Sequence, residues 1–494
     1  MTGRIDPVKV YESVVADWKQ NFPKFVNRVI FYDPQAARDS NKEIAHIENE
    51  LSRKFGQPVV LHDQLAQTIA SMVRGKAAHC AGLVERFGQP LPVVYVMGLM
   101  DEPTVSDLLS KMSGIKADAI KHDFAEDDTI FHEMVYHHEL AHAQVRLNNA
   151  PYPQGKDPVS YEESTADCYA ALRMVQKYGE KGMKAARIWL DARTLAGLSY
   201  GSFSHYTSDA LFSAIEAIDK AGVKKVQSMT PAELFEAAAD MAIDPSLEQG
   251  FWQQIDKRSL KLGAFMPLMW EQRLADPSHI FSSSPNYRSK CEAALERFSK
   301  EWDHVGKDVH LSLVRSVDLD TMVNNMTHGM GIGRMLHAFA AVASGKAKES
   351  MIQKIDYEVE RRERRIVGGS LGAISAGFNR KAAIEQIDQD LQGQFQRMNM
   401  QLQKIDPLLH SYVEDACKKD PNAFLTMMSN PQNWTILMRD VLERQRENVV
   451  RKAEGKPLHT APLAPIWAKT AQNDNKPSGR NAKILQGPWA KKIA

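Results

Sequence analysis

The sequence predicts an α+β domain over residues 1–270, a mostly α-helical domain over 271–455 and a disordered basic tail over 456–494. Three observations carry this division. Short runs rich in Val, Ile and Tyr, bounded by Pro, Gly or Asp, precede Thr129 and read as strands between amphipathic stretches. From Thr129 onward the apolar residues recur at helical spacing. After Gly455 the periodicity dissolves into Pro, Lys, Asn and Gly, with seven Lys or Arg against one acid, Asp474.

At 494 residues the chain has room for two to four domains of roughly 100–200 residues each. Its 43% hydrophobic and 25% charged residues are those of a globular protein, which excludes global disorder. Lys and Arg (62) balance Asp and Glu (61), so the basic excess of a dedicated nucleic-acid binder is missing and no nucleic-acid partner is expected. Cys80, Cys168, Cys291 and Cys417 lie far apart, which fits a reducing compartment and excludes a zinc site built on close cysteine pairs. The N-terminus MTGRIDPVKVYESVVADWKQ lacks the apolar core of a signal peptide, and no uncharged apolar run approaches the ~20 residues of a spanning helix. A cytoplasmic protein without a transmembrane segment is the expectation.

The strand candidates are residues 27–33 (NRVIFYD), 58–62 (PVVLH) and 92–98 (PVVYVMG), with helical spacing over 41–55 and 63–87 between them. Helices follow near 129–149, 161–178, 205–221, 231–241 and 247–258, separated by Pro, Gly or Asn. In the second domain, 351–365 and 381–409 are long and charged, and the glycine-rich stretch 366–378 supplies the turn of a helical hairpin. Two phosphate-loop look-alikes fail: Gly329, Gly331 and Gly333 do not follow the dinucleotide spacing, and Ser344-Gly345-Lys346 lacks the upstream glycine.

One segment carries chemistry. Residues 129–145 (TIFHEMVYHHELAHAQV) contain a complete H-E-x-x-H, His138-Glu139-Leu140-Ala141-His142, in the middle of a helix. Side chains at i and i+4 share a helix face, so both imidazoles can converge on one tetrahedral Zn²⁺. Glu139, one position along, projects beside the metal, where a general base is needed. Catalytic zinc usually has three protein ligands. Downstream, in 161–175 (YEESTADCYAALRMV), Glu163 and Asp167 share a face at i, i+4. Glu163 would complete the ligand set, and Asp167 would hold the far nitrogen of a ligating histidine. Glu162, off that face, is expected to play no part.

HELAH followed by ESTAD resembles the gluzincins, the thermolysin-like zinc metallopeptidases whose third ligand is a glutamate on the following helix; the likeness covers residues 129–170. The metzincin extension fails, since Val145 and Asn148 stand where its glycine and third histidine would fall. The resemblance implies a zincin-like α+β catalytic domain with one Zn²⁺ per chain on His138, His142 and Glu163. It also implies Glu139 as base, Asp167 as the orienting carboxylate, and a peptide or protein substrate. Such enzymes often place a His or Tyr from a later helix near the developing oxyanion, and His205 and Tyr206 occupy a helix start. The bland reading of that pair is a surface histidine and a packing aromatic.

Other residues carry two readings each. Residues 93–97 form either an edge strand that captures an extended peptide or a buried strand. His132 and His137 are surface or packing residues, and Cys168 a small core hydrophobe. Trp467 and Trp489 in the tail are anchors for a protein partner or part of an inert extension. The competing function is non-catalytic: a helical interaction scaffold that retains a zincin fold or a regulatory zinc site.

Overall fold

Capping residues and apolar periodicity divide the chain into helices almost throughout the computed structural model. It describes residues 6–34, 39–75, 79–83, 93–97, 104–121, 128–148, 152–153, 158–199, 207–242, 287–324, 327, 332–366, 380–461 and 463. The described residues form two compact units, Met1–Asp318 and Leu319–Ala494. The boundary expected at residue 270 lies outside the described residues.

In the first unit, α1 (Pro7–Asn21) begins on Asp6, whose side chain accepts from the Val8 amide, and on a proline suited to a first helical turn. A short 3-10 turn leads to β1 (Val29–Phe31). Next come α2 (Ser40–Phe55), α3 (Asp63–Gly75), β2 (His79–Gly82), β3 (Val94–Met97) and α4 (Val105–Ser113). The site helices are α5 (Asp128–Asn148), α6 (Pro158–Tyr178) and α7 (Glu180–Ser199). After them stand α8 (Ser208–Ala221), α9 (Val223–Gln227), α10 (Pro231–Ala242), α11 (Tyr287–Phe298), α12 (Glu301–His304) and α13 (Val309–Ser316).

This corrects the expected fold class. The chain is mostly α-helical from its first element, not a zincin-like α+β domain followed by a helical one. Its sheet has three strands of three or four residues, in the order β1-β3-β2. β1 runs parallel to β3, with Val29 opposite Val94, and β2 runs antiparallel to it, with Cys80 opposite Val96. β3 is therefore the central strand, paired on both sides, and offers no free edge to a peptide.

Residues 58–62 form no strand, and the reason is local. Val59 and Leu61 are buried, as the alternation suggests, but their amides are taken by side chains of α2: Ser52 Oγ accepts from Val59 at 2.8 Å and Glu48 Oε1 from Leu61 at 2.9 Å. With its donors satisfied this way, the segment needs no ladder. The helix expected over 63–87 stops at Gly75, and β2 occupies part of the remainder.

α6 lies at the centre of the first unit, against α5, α7, α8, α9 and α10. From Glu162 to Val175 every side chain on it is buried, so it is apolar or internally paired all round rather than amphipathic. Arg173 of α6 clamps Asp17 of α1 through both carboxylate oxygens, at 2.7 and 2.6 Å.

The second unit is helical: α14 (Leu319–Asn324), α15 (Ile332–Ala343), α16 (Lys346–Ile366), α17 (Arg380–Ile405), α18 (Pro407–Lys419), α19 (Pro421–Met428) and α20 (Pro431–Ala453). Asp406, Asp420 and Asn430, each followed by proline, cap α18, α19 and α20. The helix expected over 381–409 accordingly ends at Ile405. The expected glycine-rich turn lies almost wholly outside the described residues, as do the tail from 464, Trp467 and Trp489. Residues 456–461 fold back on α20, where the Pro457 carbonyl accepts from Arg451 Nε at 2.6 Å. No helix among the described residues is long and apolar enough to cross a membrane.

α6 and α7 meet through a tight turn in which Gly179 takes φ +59°, and a Cβ on Gly182 would strike the Met174 backbone carbonyl. Gly182→Ala therefore lowers the unfolding midpoint of its unit, by overpacking worth about 1–3 kcal/mol. Gly393→Ala on α17, where the added methyl meets only the end of the Arg397 side chain at 3.4 Å, raises the midpoint of the second unit instead. Thermal melts followed by circular dichroism separate the two outcomes.

Candidate metal centre

The HELAH helix is buried on every side. From Ile130 to Gln144 each residue of α5 is buried, including His132, Glu133, His137, His138, Glu139, His142 and Gln144. So many polar groups inside a helix are costly unless each has a partner or a task. Arg146 anchors the helix to the sheet, its Nη1 donating to the Cys80 carbonyl at 2.8 Å.

His138 and His142 present their Nε2 atoms to each other at 3.1 Å. Glu163 of α6 faces both, with Oε2 3.4 Å from His138 Nε2 and Oε1 3.7 Å from His142 Nε2. One ligand atom from each of the three lies within 4.8 Å of the others. In a tetrahedral zinc site with bonds of ~2.0–2.1 Å, neighbouring ligand atoms stand about 3.3 Å apart. The donors thus already outline a site of the right size and chemistry.

The opposite ring nitrogens decide the tautomers. His138 Nδ1 lies 2.8 Å from Asp167 Oδ1 and His142 Nδ1 lies 3.7 Å from Glu162 Oε2, so each ring holds its Nδ1 proton toward a carboxylate. The Nε2 lone pairs of two neutral rings would then meet head-on. A cation reconciles them, whether a metal or a proton. Burial alone would lower both histidine pKa values, but Asp167 and Glu163 outweigh it at His138, and Glu163 with Glu162 raise His142 to about 10.

Asp167 has no exposed surface and is the best-connected group of the site. Trp189 Nε1 of α7 donates to Oδ1 at 2.8 Å, Arg193 Nη2 to Oδ1 at 3.0 Å, and Thr207 Oγ1 at the head of α8 to Oδ2 at 2.5 Å. Burial pushes its pKa up, but the Arg193 and His138 charges win and hold it well below the usual carboxylate range.

Glu162 departs from expectation. Its Oε2 stands 3.7 Å from His142 Nδ1, a looser approach than that of Asp167 to His138, and it is itself fixed by Arg146 Nε at 3.0 Å and by the Tyr152 hydroxyl. These partners overcome burial and lower its pKa to about 2. Sequence reading passed over it because its partners come from 16 and 10 residues away in sequence. Trp189 and Arg193 were equally missed; the available signal was an arginine one helical turn past a tryptophan inside an alanine-rich, buried helix.

The remaining carboxylates divide sharply. Glu133 is occupied by Tyr178 Oη at 2.7 Å and by Lys177. Glu139 is only 8% exposed, yet it makes no hydrogen bond or ion pair among the described residues. It stands close enough to His142 to favour that ring's protonation. His137 is fully buried and held neutral by burial and by the Arg173 and Lys177 charges, with its ring edge-on to Tyr169. Cys168 is fully buried, as expected of a core hydrophobe. His205 and Tyr206 lie outside the described residues.

No family model, curated protein or solved structure matches the chain.

Two measurements follow from the geometry. With His142 protonated up to about pH 10, zinc must displace protons, so zinc uptake near neutral pH releases about one or two protons and tightens as pH rises. Calorimetry in buffers of different ionisation enthalpy reads this directly; an enthalpy that ignores the buffer contradicts it. Glu162→Ala lowers zinc affinity about 10–100-fold through His142. Glu163→Ala, which removes a donor, lowers it further.

Proposed function

We propose that the chain is a zinc-dependent hydrolase of peptide bonds, with His138, His142 and Glu163 as the metal's protein ligands and Glu139 as general base. One observation carries the reading. Beside three converged donors stands a buried carboxylate, Glu139, with no hydrogen bond or ion pair among the described residues, while Glu133, Glu162 and Asp167 are each engaged by cations or hydroxyls. A purely structural zinc site is closed by four protein ligands, and the described residues gather three.

Zn²⁺ held by His138, His142 and Glu163 would supply Lewis acidity to a carbonyl and would activate water. The chain's own residues do the rest. Asp167 holds the His138 ring at Nδ1, and the Glu162 charge faces His142 Nδ1 from 3.7 Å, so each Nε2 is turned to the common centre. Glu139 accepts a proton as water attacks the carbonyl and returns it to the departing amine. The low-dielectric surroundings of α5 strengthen that exchange.

The choice of a peptide bond rests on the likeness of HELAH and ESTAD to the gluzincin pattern, a likeness confined to α5 and α6. Glu139→Gln keeps the shape and the ligands but cannot take up the proton. Cleavage of a mixed peptide library, followed by mass spectrometry, falls about 10²–10⁴-fold in this variant while bound zinc is unchanged. Unaltered turnover would remove Glu139 from the mechanism. A wild-type chain that holds zinc and cleaves no peptide would favour a regulatory site.

A further inference from the structure

A concavity lies against another face of α5. It has a volume of about 460 Å³ and is bounded by the end of α1 and the 3-10 turn after it, by α5, α6 and α10, and by Tyr152. Small-molecule sites commonly measure about 300–1,000 Å³. None of His138, His142 and Glu163 lines it. Gln144, which does, follows His142 by two residues and so points about 200° around the helix from it.

The walls are chiefly aromatic. Phe22, Phe25 and Phe235 are buried there, and Tyr161 joins them from α6. Small residues of α10, among them Ala239, leave the space open. Lys24 and Glu236 are exposed lining residues of opposite sign, so the cavity does not select a charge.

Gln144 is the exception in this apolar setting. It is fully buried, and neither its amide nitrogen nor its amide oxygen has a hydrogen-bond partner among the described residues. Buried polar groups are overwhelmingly paired, and nearby Glu133 and Glu162 obey that rule. An unpaired carboxamide offers a donor and an acceptor side by side, and its natural complement is another amide edge presenting both in reverse order.

We propose that this cavity binds an uncharged, largely aromatic small molecule through a carboxamide edge read by Gln144. The ring fills the space between the phenylalanines and Tyr161, and the two amides exchange a pair of hydrogen bonds. The site stands apart from hydrolysis at the metal, although Tyr152 borders both regions, since its hydroxyl donates to Glu162.

A matched pair of probes tests this on the full chain: 2-naphthamide, and 2-acetonaphthone, in which a methyl replaces the amide nitrogen. Titration followed by calorimetry should show the amide binding about tenfold more tightly, the worth of one satisfied hydrogen bond in a buried setting. Gln144→Leu should erase the difference while both probes still bind. Ala239→Trp, which fills the cavity from α10, should abolish binding of both with the zinc content and circular dichroism unchanged. Failure of wild type to bind either probe, or binding that survives Ala239→Trp, overturns the site. Equal affinity of wild type for the two probes, or a preference that persists in Gln144→Leu, overturns the role of Gln144.

Discussion

A carboxylate with no exposed surface ties together four helices of the first unit. Asp167 sits on α6 and accepts from Trp189 and Arg193 of α7 and from Thr207 at the head of α8, while facing His138 of α5. Four helices thus depend on one side chain. A buried charge is tolerable only when it is paired and its lone pairs are used, and Arg193 with three hydrogen-bonding neighbours meets both conditions. Removing the carboxylate would strand the buried Arg193 guanidinium as well as release the His138 ring.

The same logic extends outward from that residue. Each histidine is held by a carboxylate on α6, Asp167 for His138 and Glu162 for His142, and each of these carboxylates is held by an arginine. The two rings are thereby forced into a posture that is unfavourable without a cation between them. α5 carries more buried polar groups than packing alone would favour, and such local breaches of packing rules tend to mark functional positions. Glu139 fits that description best, because its neighbours of like charge are engaged and it has no such partner among the described residues.

The site was more legible in the sequence than the fold. HELAH and the i, i+4 pair Glu163 and Asp167 depend only on helical spacing, and the helix that carries each motif is long enough to impose it. Helix starts at Asp-Pro and Asn-Pro were similarly local in origin. The fold class failed because alternation of apolar residues in 58–62 reports burial, not pairing, and α2 side chains satisfied the backbone there. Glu162, Trp189, Arg193 and Thr207 went unread since their roles arise from partners on other helices. No local pattern encodes such a meeting.

The most direct measurement of the central claim is anomalous X-ray scattering across the zinc edge, on crystals of the full chain prepared without chelators. One anomalous peak per chain is the expected result, seated between the Nε2 atoms of His138 and His142 and the Glu163 carboxylate. A chain that crystallises folded with no peak there, or with zinc bound at other residues, would contradict the account.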